Sequence, residues 1–231
     1  MALRGRRGPA PRALAVRSAR RGSICGSGIR RNLHVTESQY PRSPIEPLLL
    51  RTVFPESYRI MSQRHSGSPL GTTPADSRFA TRTGGYTVLY AAPDFTTAFI
   101  ETIVRDRFAH RRTRQVALRE ITERMWVRIS SEPGVRLTLL DLRADGCTRI
   151  GAPTDVVQAR NHAAGRAFGQ TIHTDHTDID GLVYSSRLTG EDVYAIYDRG
   201  VGMLRAGNVG ALEDHIDLPD VLERHAIGLV L

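Results

Sequence analysis

Residues 86–104, YTVLYAAPDFTTAFIETIV, change their hydrophobic period half-way along. Up to Ala91 the run is short, aromatic and β-branched, as strands are. Pro93 and Asp94 then supply a stop and an N-cap, after which Phe95, Ala98, Phe99 and Ile103 recur at helical spacing to about Arg107. A strand delivering the chain directly into an amphipathic helix points to a mixed domain. The 100° step of that helix sets Glu101 off the Phe95/Phe99/Ile103 stripe, on a side shared with Thr97 and Arg105, where it faces a cleft or plain solvent.

Working outward, residues 77–81 and 86–91 read as a hairpin joined through Gly84 and Gly85, a pairing whose turn needs positive φ. Residues 55–76, rich in Ser, Gly, Pro and Thr, are longer than a structural connection and mark a candidate binding loop. Residues 48–54, LLLRTVF, read as a buried strand with an inward-pointing Arg51. Downstream, residues 125–129 and 136–142 are strands. Residues 154–174 form an alanine-rich helix opened by Pro153, burying Val156, Val157, Ala163, Ala164, Ala167 and Phe168. Residues 181–184 and 193–197 are strands flanking the turn-like 189–192, and a helix over 218–224 precedes a last strand over 227–231. No internal repeat is visible. The fold class expected is α+β, a compact mixed β-sheet core with flanking helices.

The chain has 231 residues, 40% of them hydrophobic, enough to bury a core. Its net charge of +8 is unevenly spread. Nine arginines precede the first acidic residue, Glu37, which leaves 23 basic residues against 24 acidic ones in the rest. We therefore divide the chain into residues 1–45, an Arg-rich tail without apolar periodicity or a mis-assigned start, and a domain over 46–231. Prolines and glycines at positions 5, 8, 9 and 11 argue against a transit helix, and no apolar stretch approaches the roughly 18 residues that span a bilayer. Two cysteines, Cys25 and Cys147, exclude a disulfide framework and a four-thiolate metal site. A reducing cytoplasm is the expected location.

Arg51, Arg78 and Ser186 interrupt otherwise apolar contexts. A buried guanidinium must find an anion, so each arginine either makes a structural ion pair or faces a cleft, and two converging forks of donors would suit a pyrophosphate. The series LLR51, SR78F, VLY90AA, TAFIE101T and VYSS186R resembles the RES domain, named for its arginine, glutamate and serine, over about residues 48–200. The spacing of Tyr90 eleven positions before a helical Glu101 is the distinctive part. The resemblance implies a fold similar to ADP-ribosyltransferases, NAD held in a cleft, and a toxin paired with a helix-turn-helix antitoxin. Such proteins degrade NAD by hydrolysis or phosphorolysis, or transfer its ADP-ribose to a protein. It further implies that Arg51 and Arg78 bind phosphates or position the nicotinamide ribose, that Tyr90 packs on the nicotinamide, that Glu101 is the catalytic carboxylate, and that Ser186 bonds the carboxamide or ribose. Arg59, in SYRI, competes with Arg51 as first arginine; the apolar context favours Arg51. The sequence departs from many relatives at Asp76-Ser77 and Phe79 around Arg78, and at Ala163 and Ala164, where some relatives carry a functional serine.

Other features are weaker. His173, Asp175, His176 and Asp178 suggest metal ligands by type, but their place after a helix fits an exposed polar loop, and no metal is expected. Cys147 reads as a small buried hydrophobe. Arg105, Arg107, Arg111, Arg112 and Arg114 form a basic cluster that could meet an acidic partner or simply be solvated. Readings from other classes are a nucleic-acid binder acting through the Arg-rich tail and an inactive relative that only binds its partner.

Overall fold

The computed structural model describes residues 38–231. The bulk of the Arg-rich tail, and the nucleic-acid reading that rests on it, lie outside the described residues.

The domain is α+β. Its larger sheet has five strands in the order β1-β6-β7-β8-β3, with β1 Leu49–Thr52, β3 Val88–Ala91, β6 Leu137–Asp141, β7 Gly181–Ser185 and β8 Asp192–Tyr197. Only β6 and β7 run parallel, and the crossover between them carries the longest helix described, Ala163–Asp175. A second sheet has the order β2-β5-β9, from β2 Ser57–Ser62, β5 Arg124–Ser131 and β9 Leu204–Ala211. A two-stranded parallel pair joins β4 Gln115–Ala117 to β10 Gly228–Val230. The two larger sheets meet face to face through Met61, Val127 and Ile129 on one side and Leu89, Leu139, Val183 and Ile196 on the other. On the opposite face of the five-stranded sheet, Leu182, Tyr184, Ala195 and Tyr197 receive Phe168 and Ile172 of the long helix.

Three helices frame these sheets: α1 Phe95–Phe99, α2 Ala163–Asp175 and α3 Leu218–Arg224. Asp94 caps α1 as its position suggests, accepting the Thr97 amide at 2.7 Å. Phe95, Phe99 and Ile103 pack with Ile60, Val116 and Val221 in a separate core beneath α1.

Four local expectations are corrected. Residues 77–81 form no strand; β3 pairs with β8 instead, and the segment is a tight turn closed by Ser77 N–H to the Ala80 carbonyl at 2.9 Å. The helix expected over 154–174 is interrupted. A short turn, Asp155–Gln158, ends at an extended Ala159, and α2 restarts after Asn161, whose Oδ1 accepts the Ala163 amide at 2.9 Å. Ala163 and Ala167 are exposed, because α2 turns Gly165, Phe168, Gly169 and Ile172 to the core, with Ala164 at its margin. Packing also starts before residue 46: Tyr40 and Ile45 are buried, and the Tyr40 ring meets Phe168 edge-on at 4.9 Å.

His173, His176 and Asp178 each have partners of their own. His173 stacks on Tyr86 with ring centroids 4.1 Å apart, His176 Nε2 bonds the Tyr40 carbonyl at 2.9 Å, and Asp178 pairs with Arg42 at 2.8 Å. Cys147 is buried, and desolvation pushes its thiol up to about 11, well away from a reactive thiolate.

Candidate active site

The helix that carries Glu101 is not α-helical to its end. After Phe99 the chain widens into a π turn over Ile100–Val104, and Arg105 N–H reaches back five residues to the Ile100 carbonyl at 2.7 Å. Such bulges sit preferentially at functional sites, because the extra residue redirects one side chain without ending the helix. Here it lets Ile103 stay in the core while Glu101 turns to the cleft. Arg105 closes the turn at φ 48° and ψ −132°, a conformation non-glycine residues seldom adopt.

Glu101 meets the end of β7. Ser186 Oγ donates to Glu101 Oε1 at 2.5 Å and itself accepts the amides of Leu188 and Thr189, each at 3.1 Å. Ser186 is 2% exposed. With one donation and two acceptances, its hydroxyl is fully occupied, so its role is to fix the carboxylate rather than to attack.

Arg78, 8% exposed, is held by the Ala159 carbonyl at 3.1 Å and lies over the Tyr184 ring, 5.9 Å from its centroid. The break in the helical segment thus supplies the carbonyl that aims this arginine. Tyr90 steadies the same turn from below. Its hydroxyl accepts the Phe79 amide at 3.0 Å and shares a hydrogen bond with Ser77 Oγ at 2.9 Å. Burial raises the Tyr90 hydroxyl pKa, so it stays neutral.

Arg51 does not join them. It is exposed on β1, an edge strand, on the same side as Val53, which is 52% exposed; the Arg51 carbonyl accepts from Arg136. The period-two alternation of LLLRTVF already sets Arg51 with Val53 and apart from Leu50 and Phe54. Arg59 takes the place expected of Arg51. From β2 its guanidinium reaches the carbonyls of Pro69 and Gly71 at 3.1 and 2.8 Å, and desolvation lowers its pKa to about 10.

Arg59, Arg78, Tyr90 and Glu101 line one cavity of about 1000 Å3. Eight arginines line it against four carboxylates, so cationic charge collects here in a domain whose charges nearly balance overall. His162, on the cavity wall, registers the result. Desolvation, then the neighbouring Arg78, Arg166, Arg105 and Arg187, lower its pKa to about 4. His162, Tyr184 and Arg124 were not legible as site residues, since nothing in their local sequence separates them from surface or core positions. Neither Arg59 nor Arg78 has a carboxylate within bonding distance among the described residues.

The family model for the RES domain matches residues 49–218, which include Arg59, Arg78, Tyr90, Glu101 and Ser186. The chain belongs to the RES-domain family. Among curated proteins, this RES domain is 34% identical over 95 residues to "Probable toxin y4kH" of Sinorhizobium fredii (strain NBRC 101917 / NGR234), covering 41% of the chain and 75% of that protein. Among solved structures it is similar to a chain of the Mycobacterium tuberculosis MbcT–MbcA toxin–antitoxin complex, with a TM-score of 0.55 and 14% identity over 73% of this chain and 90% of that one. At that identity the likeness concerns the fold.

Proposed function

We propose that this RES-domain protein is a toxin enzyme that cleaves the nicotinamide–ribose bond of NAD. One observation carries the reading: a carboxylate fixed by a buried serine faces a cavity in which the guanidinium groups of Arg59 and Arg78 have only uncharged partners among the described residues. Two such cations call for an anion with two charges, and the diphosphate of a dinucleotide provides it. The cavity volume is at the upper end of the ~300–1,000 Å3 range of small-molecule sites.

In this reading Arg59 and Arg78 grip the diphosphate, and Tyr90 holds the Arg78 turn while offering its ring to the nicotinamide. Glu101 stands against the ribose. Nicotinamide departs as a neutral molecule, taking the bonding electron pair of its C–N bond, and positive charge develops on the sugar. A preorganised carboxylate stabilises that charge without reorganising at the moment of reaction. Ser186, donating to Glu101, restrains the carboxylate in one orientation. The acceptor of the ribosyl group, whether water, phosphate or a protein side chain, is read from the products.

The names of the relatives, a probable toxin and a toxin–antitoxin complex, support the toxin part of the reading and a protein antitoxin as partner. A helix-turn-helix antitoxin is the form we infer for it. The test is nicotinamide release from NAD, with and without phosphate, by wild type and Glu101→Gln. Release that falls about 10²- to 10³-fold in the variant supports the reading; a folded wild-type protein that releases none sinks it.

A further inference from the structure

Glu101 and Ser186 meet where neither backbone is regular. The helical chain ends at Arg105, whose φ of 48° is strained. Ser186 lies just past the end of β7, in a turn closed by Ser186 N–H to the Glu191 carbonyl at 2.7 Å and by Gly190 N–H to the Ser186 carbonyl at 2.8 Å. These bonds shape the turn but do not fix it against the helix. A 2.5 Å contact between side chains of two such segments therefore needs ties from one segment to the other.

Two ties flank the contact. One helical turn before Glu101, Thr97 Oγ1 donates to Thr189 Oγ1 at 3.2 Å. Past Glu101, Asp106 Oδ2 accepts from Nη2 of Arg187, the residue next to Ser186, and lies 3.6 Å from Arg160 Nε. The Asp106–Arg187 pair is the stronger tie, because it is charged and its side chains are only 27% and 21% exposed, whereas Arg160 is 63% exposed. Arg187 Nε is buried with no hydrogen-bond partner among the described residues, so Asp106 is the group that keeps this guanidinium inside. Without the carboxylate an unpaired charge would be left partly buried, and Arg187 would turn out to water, drawing the backbone of residues 187–189 with it. A strained residue such as Arg105 likewise persists only where its surroundings hold it, and Asp106, next in the chain, supplies that hold.

We propose that Asp106 is a positioning residue: paired with Arg187, it clamps the end of the Glu101 helix to the Ser186 turn and so sets the orientation of the carboxylate. It acts through Ser186 and Glu101 rather than on the substrate. The clamp follows from the contacts; that Glu101 is the carboxylate facing the ribose rests on the NAD reading. Misplacing a reacting group by about 1 Å can cost on the order of 10²-fold in rate, so a loosened clamp lowers kcat, while Arg59 and Arg78 keep their own partners and hold KM within about threefold.

The experiment uses Asp106→Ala, Arg187→Gln and the double variant, with Asp106→Glu and Arg187→Lys as charge-conserving counterparts. Two quantities are measured: the kinetics of nicotinamide release from NAD, and hydrogen exchange at residues 186–190, which contain the two amides bonded to Ser186 Oγ, against β8 as an internal reference. Each single variant should lower kcat about tenfold or more and speed exchange at 186–190 about tenfold with β8 unmoved. The double variant should be no worse than the more affected single one, since both remove the same tie, and the charge-conserving variants should recover part of kcat. Single variants that leave kcat within twofold overturn the proposal, as does exchange that quickens equally in β8, which marks a general loss of stability. A wild-type protein that releases no nicotinamide overturns the NAD reading. In that case faster exchange confined to 186–190 still supports the clamp, and unchanged exchange overturns it.

Discussion

Arg59 and Arg51 are eight positions apart, in consecutive strands of different sheets, and their environments are opposite. Arg59 is desolvated against two loop carbonyls, whereas Arg51 stands in water on a sheet edge. Under the proposed function, Arg59→Ala removes a charge that grips the substrate and should raise the KM for NAD about 10- to 100-fold. Arg51→Ala should leave KM and kcat within about twofold, since an isolated exposed charge contributes little. Steady-state kinetics on the two variants check this, and the opposite order would return the first arginine to Arg51. The residue types of the site were legible in the sequence: Arg78, Tyr90, Glu101 and Ser186 do converge. The choice between two arginines was not, because an apolar flank marks a strand without saying whether that strand lies at an edge, and only the sheet order decides which side meets water.

At the scale of elements, the site depends on how closely α2 approaches the turn at residues 77–80. A Cβ on Gly169 would lie 2.3 Å from the Phe79 carbonyl oxygen, and one on Gly165 would lie 2.5 Å from that of Arg78. Both obstacles are backbone and cannot swing aside. Gly169→Ala should therefore cost about 1–3 kcal/mol of stability, despite alanine's better helix propensity, and shift the melting temperature down by about 2–4 °C per kcal/mol. Because the displaced turn carries Arg78, KM should rise along with the loss of stability. A thermal melt unchanged from wild type would contradict this packing. The strands β7 and β8, the Asp94 cap and the helix α3 were readable from period and capping residues. The π turn and the break at Ala159 were not. Each answers a tertiary demand, Glu101 turning to Ser186 in one case and a carbonyl reaching Arg78 in the other, that no local propensity encodes.

For the whole molecule, four histidines set the response to acid. Burial is the leading cause that lowers the pKa of His162, His173, His215 and His225, with neighbouring arginines adding to it. Each stays neutral in the folded state to a lower pH than in the unfolded chain, where imidazole titrates near ~6.5. Below that value the unfolded state binds more protons, so stability is complete above pH ~6.5 and declines as pH falls towards about 4, the value for His162. The lowered carboxylates Glu120 and Asp141 extend the decline at lower pH, while Asp180, raised by burial, opposes it. Denaturant midpoints measured between pH 7.5 and 4.5 should fall steadily, and His162→Gln should flatten the slope. A midpoint independent of pH over that range would refute the assignment.

The seating of Tyr40 against Phe168, with its carbonyl on His176, sets a practical limit on where the chain can be shortened. A version starting at residue 46 would uncover one wall of α2 and strand a buried imidazole, and should melt below a version starting at residue 38. The few residues ahead of β1 thus act as a doorstop for the helix whose glycines cradle Arg78, and under the proposed function trimming them would be felt at the far side of that helix, as a raised KM for NAD.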